Sequence, residues 1–307
     1  MDNLTHTLTG LVLARAGLER HSPGATAVLV LSSNLPDLDI VFSLHSASAY
    51  LEHHRDLSHS VAGAPLLALG LAGAVRLFRR DARVLPLALV SVLGVACHVL
   101  MDLWTSYGAR VLAPFDRTFY TWDLVFIVDP WLLLLLLVAL LLAGRVAQPA
   151  RIASLALGLM LAYAGGRAVL HAQALEAGLL RVPTGRASVQ RAAALPTPLD
   201  PLRWRFIADT GAAYHTGELR LDHPSAPLQR RDKLPENAQV VRVRESSAVA
   251  AVFLDFSSFP WLSVIETEQG TVVSWSDLRF ERPEREGFVA RVVVDKNGRV
   301  THESFRF

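Results

Sequence analysis

Four apolar runs dominate the first half of the sequence and restrict the folds open to it. They cover residues 61–78, 84–103, 125–143 and 152–170. Each run is long enough to cross a bilayer hydrocarbon core of roughly 30 Å. Two shorter apolar segments precede them, at residues 4–18 and 24–35, and we expect these to form a short helical pair rather than full spans. The sequence therefore predicts an α-helical integral membrane bundle.

Composition supports the membrane and argues against nucleic acid. Of the 307 residues, 51% are hydrophobic and only 19% are charged, below the roughly 25% usual in soluble domains. The net charge is +2 and the arginines are scattered, so we expect no nucleic-acid partner. Cys97 is the single cysteine, which rules out an internal disulfide. The first residues, MDNLTHTLTG, lack the basic start of a signal peptide, and we expect them to be retained.

The character of the chain changes at about residue 172. Pro-rich stretches follow, and then runs that alternate as strands do, namely AVAAVFLDF, WLSVIETE and TVVSWSDLRF. In ARVVVDKNGRVTHESF the pair Asn297-Gly298 separates two such runs and predicts a hairpin. We therefore expect two domains, a helical membrane domain over 1–171 with the site and a β-rich extramembrane domain over 172–307.

Arginine placement predicts the topology, because short loops rich in Lys or Arg stay cytoplasmic. Such residues mark three loops as cytoplasmic: Arg15 and Arg20; Arg76, Arg79, Arg80 and Arg83; Arg145 and Arg151. The other helix ends then lie outside the cytoplasm, together with the C-terminal domain, in what we expect to be a bacterial cytoplasmic membrane. Those ends carry every cluster of His and Asp in the first half of the chain. Residues scattered over some 100 positions are thereby predicted to be neighbours.

The first cluster is His98 and Asp102, which are four residues apart on one helix face. Ionisable groups near a bilayer are functional by default, since their desolvation is costly. The pair is predicted to ligate a metal, the alternative being a buried His-Asp pair that ties helices together.

The second cluster is HHRDLSHS, residues 53–60. His54 and His59 converge only if the segment is a loop ending at a helix start. We interpret both as ligands, the alternative being interfacial rings in water, and His53 as a spectator.

The remaining candidates are an Asp pair and a single His. Asp37 and Asp39 in NLPDLDI aim the same way if the backbone after Pro36 is extended, although Asp after Pro is also common in turns. For His6, in the first turn of a short helix, the position by itself does not decide whether the side chain is a metal ligand. Asp129 before Pro130 fits a helix N-cap better than a ligand.

These motifs resemble, in order and over roughly residues 1–130, the YdjM family of membrane-bound metal-dependent hydrolases. They are THTLTG, LPDLD, HRDLSHS, HVLMD and TSYGARVLAPF. The resemblance implies a helical membrane protein with a His/Asp metal centre. A more distant similarity, in the ordering of His and Asp on helices, is to the zinc-dependent phospholipase C and P1 nuclease group, and it suggests phosphoester cleavage.

Ligand chemistry indicates the cofactor. Imidazoles and carboxylates without cysteine suit Zn²⁺, with Mn²⁺ or Fe²⁺ as alternatives. Seven candidate ligands exceed the needs of one ion, so we expect one to three ions, and two could share a bridging carboxylate. The seven are His6, Asp37, Asp39, His54, His59, His98 and Asp102.

Two further residues are candidates for catalysis. Arg55 could bind a phosphate or anchor a lipid headgroup. Asp56 stands where the family would have a small residue, and it either joins the site or faces water. A site at the membrane surface favours a lipid-like substrate with an ester or phosphoester bond. The alternative is a non-enzymatic membrane protein that binds or transports metal, or a structural protein; no oligomeric state is predicted.

Overall fold

The first half of the chain is helical. A computed structural model describes residues 1–183, 185–268, 270–281 and 287–306. Its N-terminal helices are α1 (Asn3–Arg15), α2 (Ala25–Ser32), α3 (Ala47–His53), α4 (Gly63–Phe78), α5 (Val84–Leu103), α6 (Pro130–Ala143) and α7 (Pro149–Leu179). Short 3-10 helices occupy Pro36–Leu44 and Leu57–His59 between them. The predicted short helical pair corresponds to α1 and α2.

Two of these helices, α5 and α7, are long and apolar enough to cross a membrane. Up to four crossings arise if each of two bent pairs is one span: α2 with Pro36–Leu44, bent by 52°, and Ala47–His59 with α4, bent by 75°. Of the four predicted spans, runs 84–103 and 152–170 contain candidate spans, run 61–78 is long enough only together with Ala47–His59, and run 125–143 contains a shorter apolar helix. Helix α4 has 16 residues and α6 has 14, which at about 1.5 Å per residue fall short of a core of roughly 30 Å.

Helices α1, α2 and α5 approach each other unusually closely. A Cβ placed on Gly94 of α5 would lie 2.0 Å from Ser32 Oγ of α2, and one on Gly10 of α1 would lie 2.9 Å from the Leu29 carbonyl oxygen. Small residues permit such contacts between membrane helices. Val28, Leu29 and Leu87 fill the space around this contact and are fully buried.

The C-terminal part is an α/β structure with two antiparallel sheets. The first contains β1 (Arg191–Pro196), β2 (Arg203–Asp209), β3 (Ala213–Arg220) and β4 (Gln229–Asp232) in that order. Helices α8 (Ala238–Ser246) and α9 (Ala248–Phe256) follow. The second sheet contains β5 (Pro260–Thr267), β6 (Gly270–Asp277), β7 (Val289–Asp295) and β8 (Val300–Arg306), again in sequence order.

Of the five runs predicted as strands in this part, four are strands and one is a helix. WLSVIETE and TVVSWSDLRF contain β5 and β6, and Asn297-Gly298 lies in the β7–β8 turn, where Gly298 has a φ of 79°. AVAAVFLDF, however, is helix α9. Ser247 caps this helix by accepting a hydrogen bond from the Ala250 amide at 3.1 Å, and the apolar residues recur at helical spacing to cover the second sheet.

The two parts share packing. Helix α7 continues past the predicted boundary to Leu179, and its last turns pack against Trp204 and Phe206 of the first sheet. Leu51 of α3 and Tyr107, from the α5–α6 loop, lie in the hydrophobic core of the second sheet. The C-terminal part with its two sheets, which we call the sheet domain, is therefore held against the end of the helical part that carries His98 and Asp102.

Candidate metal centre

Four side chains from three different segments meet in a buried cluster, which we call the primary group: Asp37, His59, His98 and Asp102. Five separations among His59 Nε2, His98 Nε2 and the facing carboxylate oxygens lie between 3.1 and 3.5 Å. Ligands at the vertices of a tetrahedron around Zn²⁺ would be roughly 3.3 to 3.6 Å apart, given bond lengths of about 2.0 to 2.2 Å. The arrangement therefore fits a single divalent ion.

The histidines of the primary group are oriented by hydrogen bonds on their other ring nitrogens. His98 Nδ1 donates to the Ser33 carbonyl oxygen at 2.8 Å. His59 Nδ1 lies 2.9 Å from Ser58 Oγ, which itself donates to Asp39 Oδ2 at 2.9 Å. Because Nδ1 of each ring has its own partner, Nε2 is the ring atom that faces the cluster and would bind a metal. Sequence reasoning missed both Ser33 and Ser58 as orienting residues.

A second group shares one residue with the first. Asp37, Asp39 and His54 have ligand atoms that all lie within 4.8 Å of one another. Asp39 Oδ1 also accepts a hydrogen bond from His54 Nδ1 at 2.7 Å, so Asp39 orients this ring as well. Asp37 belongs to both groups, and if each group held an ion, this carboxylate would be a ligand of both.

The backbone of the Asp pair differs from its prediction. Pro36–Leu44 is a 3-10 helix and not an extended segment. Proline at its first position fixes φ for a helical turn, and Asp37 and Asp39 are both buried.

His6 and Arg55 border the primary group. The His6 ring stacks on His98 with centroids 3.8 Å apart, and its Nε2 lies 3.4 Å from Asp102 Oδ1. Neither His6 nitrogen has a hydrogen-bond partner although the residue is fully buried. Arg55 Nη2 lies 2.9 Å from Asp102 Oδ1, and the positive φ of this residue, 60°, turns its amide toward Asp39 Oδ2 at 2.9 Å. The structure thus brings all seven predicted ligands and Arg55 together.

Asp56 is not placed at this centre, in contrast to the prediction of a catalytic role. Its Oδ2 lies 2.9 Å from Arg117 Nη2 and 3.8 Å from Arg110 Nη1, and it belongs to neither ligand group. The carboxylate is buried rather than solvated. Two arginines of the α5–α6 loop, which the sequence did not connect with it, account for its position.

Two other predictions concern residues outside the ligand groups. His53 packs against Phe42, with ring centroids 4.3 Å apart, and joins neither group. Asp129 is the N-cap of α6, accepting hydrogen bonds from the Trp131 and Leu132 amides at 3.0 Å each, as predicted.

Tyr107 connects the centre to the sheet domain; it belongs to the motif TSYGARVLAPF, but sequence reasoning assigned it no role. Its ring lies 4.8 Å from the Arg55 guanidinium carbon and 4.9 Å from the Phe256 ring centroid. Burial raises the pKa of the Tyr107 hydroxyl above its ordinary value, so this group is neutral. Arg279 secures the same junction by donating from Nη1 to the Ser106 carbonyl oxygen at 3.0 Å.

A helical part with candidate spans and a buried His/Asp cluster, followed by an α/β domain, defines a class of membrane protein that could hold a metal. Residues 1–174 match the model of the YdjM inner membrane protein family, and the chain belongs to this family. Residues 239–307 match the YfhP C-terminal alpha/beta plait domain.

A curated relative is similar to part of the chain. It is described as uncharacterized protein YfhP of Bacillus subtilis (strain 168), and it is 28% identical over 142 residues, 43% of each chain. The match thus spans less than half of the length of this relative. No solved structure matches. These comparisons give no support to the more distant resemblance to the phospholipase C and P1 nuclease group.

Proposed function

We propose that this protein is a membrane-bound metal-dependent hydrolase with two divalent ions at the end of its helical part. The observation that supports this most directly is the sharing of Asp37 between two ligand groups. A carboxylate between two ions is a recurrent feature of hydrolytic two-metal sites. The donor set of imidazoles and carboxylates favours Zn²⁺, with Mn²⁺ or Fe²⁺ as alternatives.

Most residues of the centre would ligate metal, whereas Arg55 would bind a negatively charged group of the substrate. The primary group would hold one ion, and Asp37, Asp39 and His54 the second, with His6 as a further donor beside them. Such ions supply Lewis acidity toward a phosphoryl or acyl oxygen and acidify water. Arg55, a cation beside Asp102, would donate to a substrate oxygen on which charge develops. The Nδ1 hydrogen bonds of His59 and His98 fix the orientation of both rings, so that Nε2 of each faces the primary group.

The proposed substrate is a phosphoester or related ester of a lipid. Asp102 stands one residue before the end of α5, a helix of 20 residues that spans about 30 Å. The cluster therefore lies near one end of a span, where a lipid headgroup can reach it while the acyl chains stay in the bilayer. We place this end outside the cytoplasm, on the arginine distribution of the loops.

Metal content tests the shared site first. His59→Ala and His98→Ala should each lose most of the bound metal, and the double variant should be little worse, because ligands of one cluster act as a unit. The measurement is elemental analysis of detergent-purified protein, with His21→Ala, an exposed histidine, as the control. Partial losses that add in the double variant would contradict a shared site.

Activity tests the hydrolase. Arg55→Gln should keep its metal and lower turnover on phospholipids in mixed micelles by about 10²-fold or more, an effect typical of losing one group that stabilises transition-state charge. Arg117→Gln, which alters an exposed arginine paired with Asp56, is the matched control. Equal cleavage of water-soluble phosphodiesters would contradict a lipid substrate. Tight metal binding without cleavage of either substrate would favour a protein that binds or transports metal.

A further inference from the structure

An apolar surface borders the candidate metal centre at the end of the helical part where α5 ends. We call it the apolar rim; its residues are Leu38, Ile40, Val41, Leu44, Leu57, Val61, Leu112 and Phe115. Their exposed fractions run from 41% to 85%, with Leu44 and Phe115 the highest. A contiguous apolar patch of this kind marks a surface that meets something other than water.

The rim is built from the same segments that carry the ligands. The 3-10 helix Pro36–Leu44 directs Asp37 and Asp39 inward, and its exposed apolar residues belong to the rim. Leu57 lies two residues before His59. The Val61 amide donates to the Val111 carbonyl oxygen at 2.8 Å, and the Arg110 amide to the Arg55 carbonyl oxygen at 2.8 Å. These bonds attach the loop that carries Leu112 and Phe115 to the site.

The rim is continuous with the surface that a membrane would cover. Leu66 and Leu69, in the first turns of α4 after Val61, are 70% and 52% exposed. Trp122 and Trp131, in and just after the α5–α6 loop, are 45% and 49% exposed. Trp is enriched where a membrane protein meets the headgroup region. Apolar side chains at this level insert into the boundary between headgroups and acyl chains.

We propose that the apolar rim is immersed in the phospholipid bilayer at the level of the headgroup boundary, and that phospholipid is the partner that covers it. The proposal rests on the membrane location of the family and on the exposure of the rim, and it does not require hydrolysis. If the hydrolase proposal also holds, the rim brings lipid headgroups next to Asp37 and Asp39 along a lateral route, without passage through water.

Spin-label depth measurements test the rim directly. In a Cys97→Ser background, Leu44→Cys and Phe115→Cys each carry one nitroxide in protein reconstituted into phosphatidylcholine and phosphatidylglycerol vesicles. Both positions are highly exposed, so the substitutions should not disturb folding. Leu69→Cys on α4 is the reference for the hydrocarbon, and His223→Cys, with a side chain 68% exposed on the sheet domain, is the reference for water.

Rim labels should relax more with oxygen than with a water-soluble nickel complex, with a depth between those of the two references. Nickel accessibility equal to that at His223 would place the rim in water and overturn the proposal. Protection from both reagents would also overturn it, because the rim would then be covered by protein, either a second copy or another partner. None of these readouts depends on enzymatic activity, so they remain informative if hydrolysis is never observed.

Discussion

At the scale of single residues, two adjacent histidines have different surroundings. His54 Nδ1 lies 2.7 Å from Asp39 Oδ1 and His54 belongs to a ligand group, whereas His53 stacks against Phe42. Helix α3 ends at His53, and the next residue adopts an extended conformation that turns its ring toward Asp39. One backbone step therefore separates a candidate ligand from a packing residue.

We expect His54→Ala to lower metal content and His53→Ala to retain it. Losing one ligand or the partner that orients it typically costs about 10- to 100-fold in metal affinity. Competition with a calibrated chelator measures the affinity of each variant in detergent. Equal losses in both variants would mean that His53 and not only His54 contributes to the site.

At the scale of elements, the contact between α2 and α5 positions His98. Gly94 lies one turn before His98, and the Ser33 carbonyl oxygen that accepts from His98 Nδ1 follows α2 directly. Any separation of the two helices therefore moves the imidazole and its orienting group together.

Gly94→Ala should destabilise the protein by about 1 to 3 kcal/mol, since the new methyl group overpacks a close helix contact. It should also weaken metal binding, because Ser32 Oγ must move from a point 2.0 Å from the new atom. Thermal unfolding and chelator competition measure the two effects. Gly73→Ala on α4, where a Cβ meets nothing within 4 Å, is the matched control and should unfold no earlier. If Gly94→Ala unfolded at the same temperature and bound metal as tightly as the original protein, the close approach of α2 and α5 would not be required for stability or metal binding.

At the scale of the whole molecule, the candidate metal centre and the Arg-rich α4–α5 loop lie at opposite ends of α5. The α4–α5 loop contains an exposed ion pair between Arg79 and Asp81. The sheet domain packs at the other end, through Tyr107 and Arg279. The direction in which this arrangement sits in the membrane remains a prediction from the arginines.

We expect the sheet domain to lie outside the cytoplasm. In a Cys97→Ser background, a cysteine at His223 should react with a membrane-impermeant maleimide on intact cells. A cysteine at Arg80 should react only after permeabilisation. The reversed pattern would place the metal centre and the sheet domain on the cytoplasmic side.

The sequence by itself predicted the helical first half, the β7–β8 hairpin, the Asp129 cap and the residues that gather at the centre. Hydropathy and turn chemistry are local properties, and helix ends on one side of a membrane must become neighbours. It did not predict that α4 and α6 are short. It also did not predict that AVAAVFLDF is a helix, because a short apolar run can form a helix or a strand until its packing partner is present.

Only the tertiary structure decided which polar groups face each other. Arg110 and Arg117 draw Asp56 away from the centre, Ser33 orients His98, and Tyr107 joins the core of the second sheet. Each of these contacts joins residues 54 or more positions apart, and none follows a helical or strand period. Such pairings depend on how whole elements pack, and so the sequence carries no local sign of them.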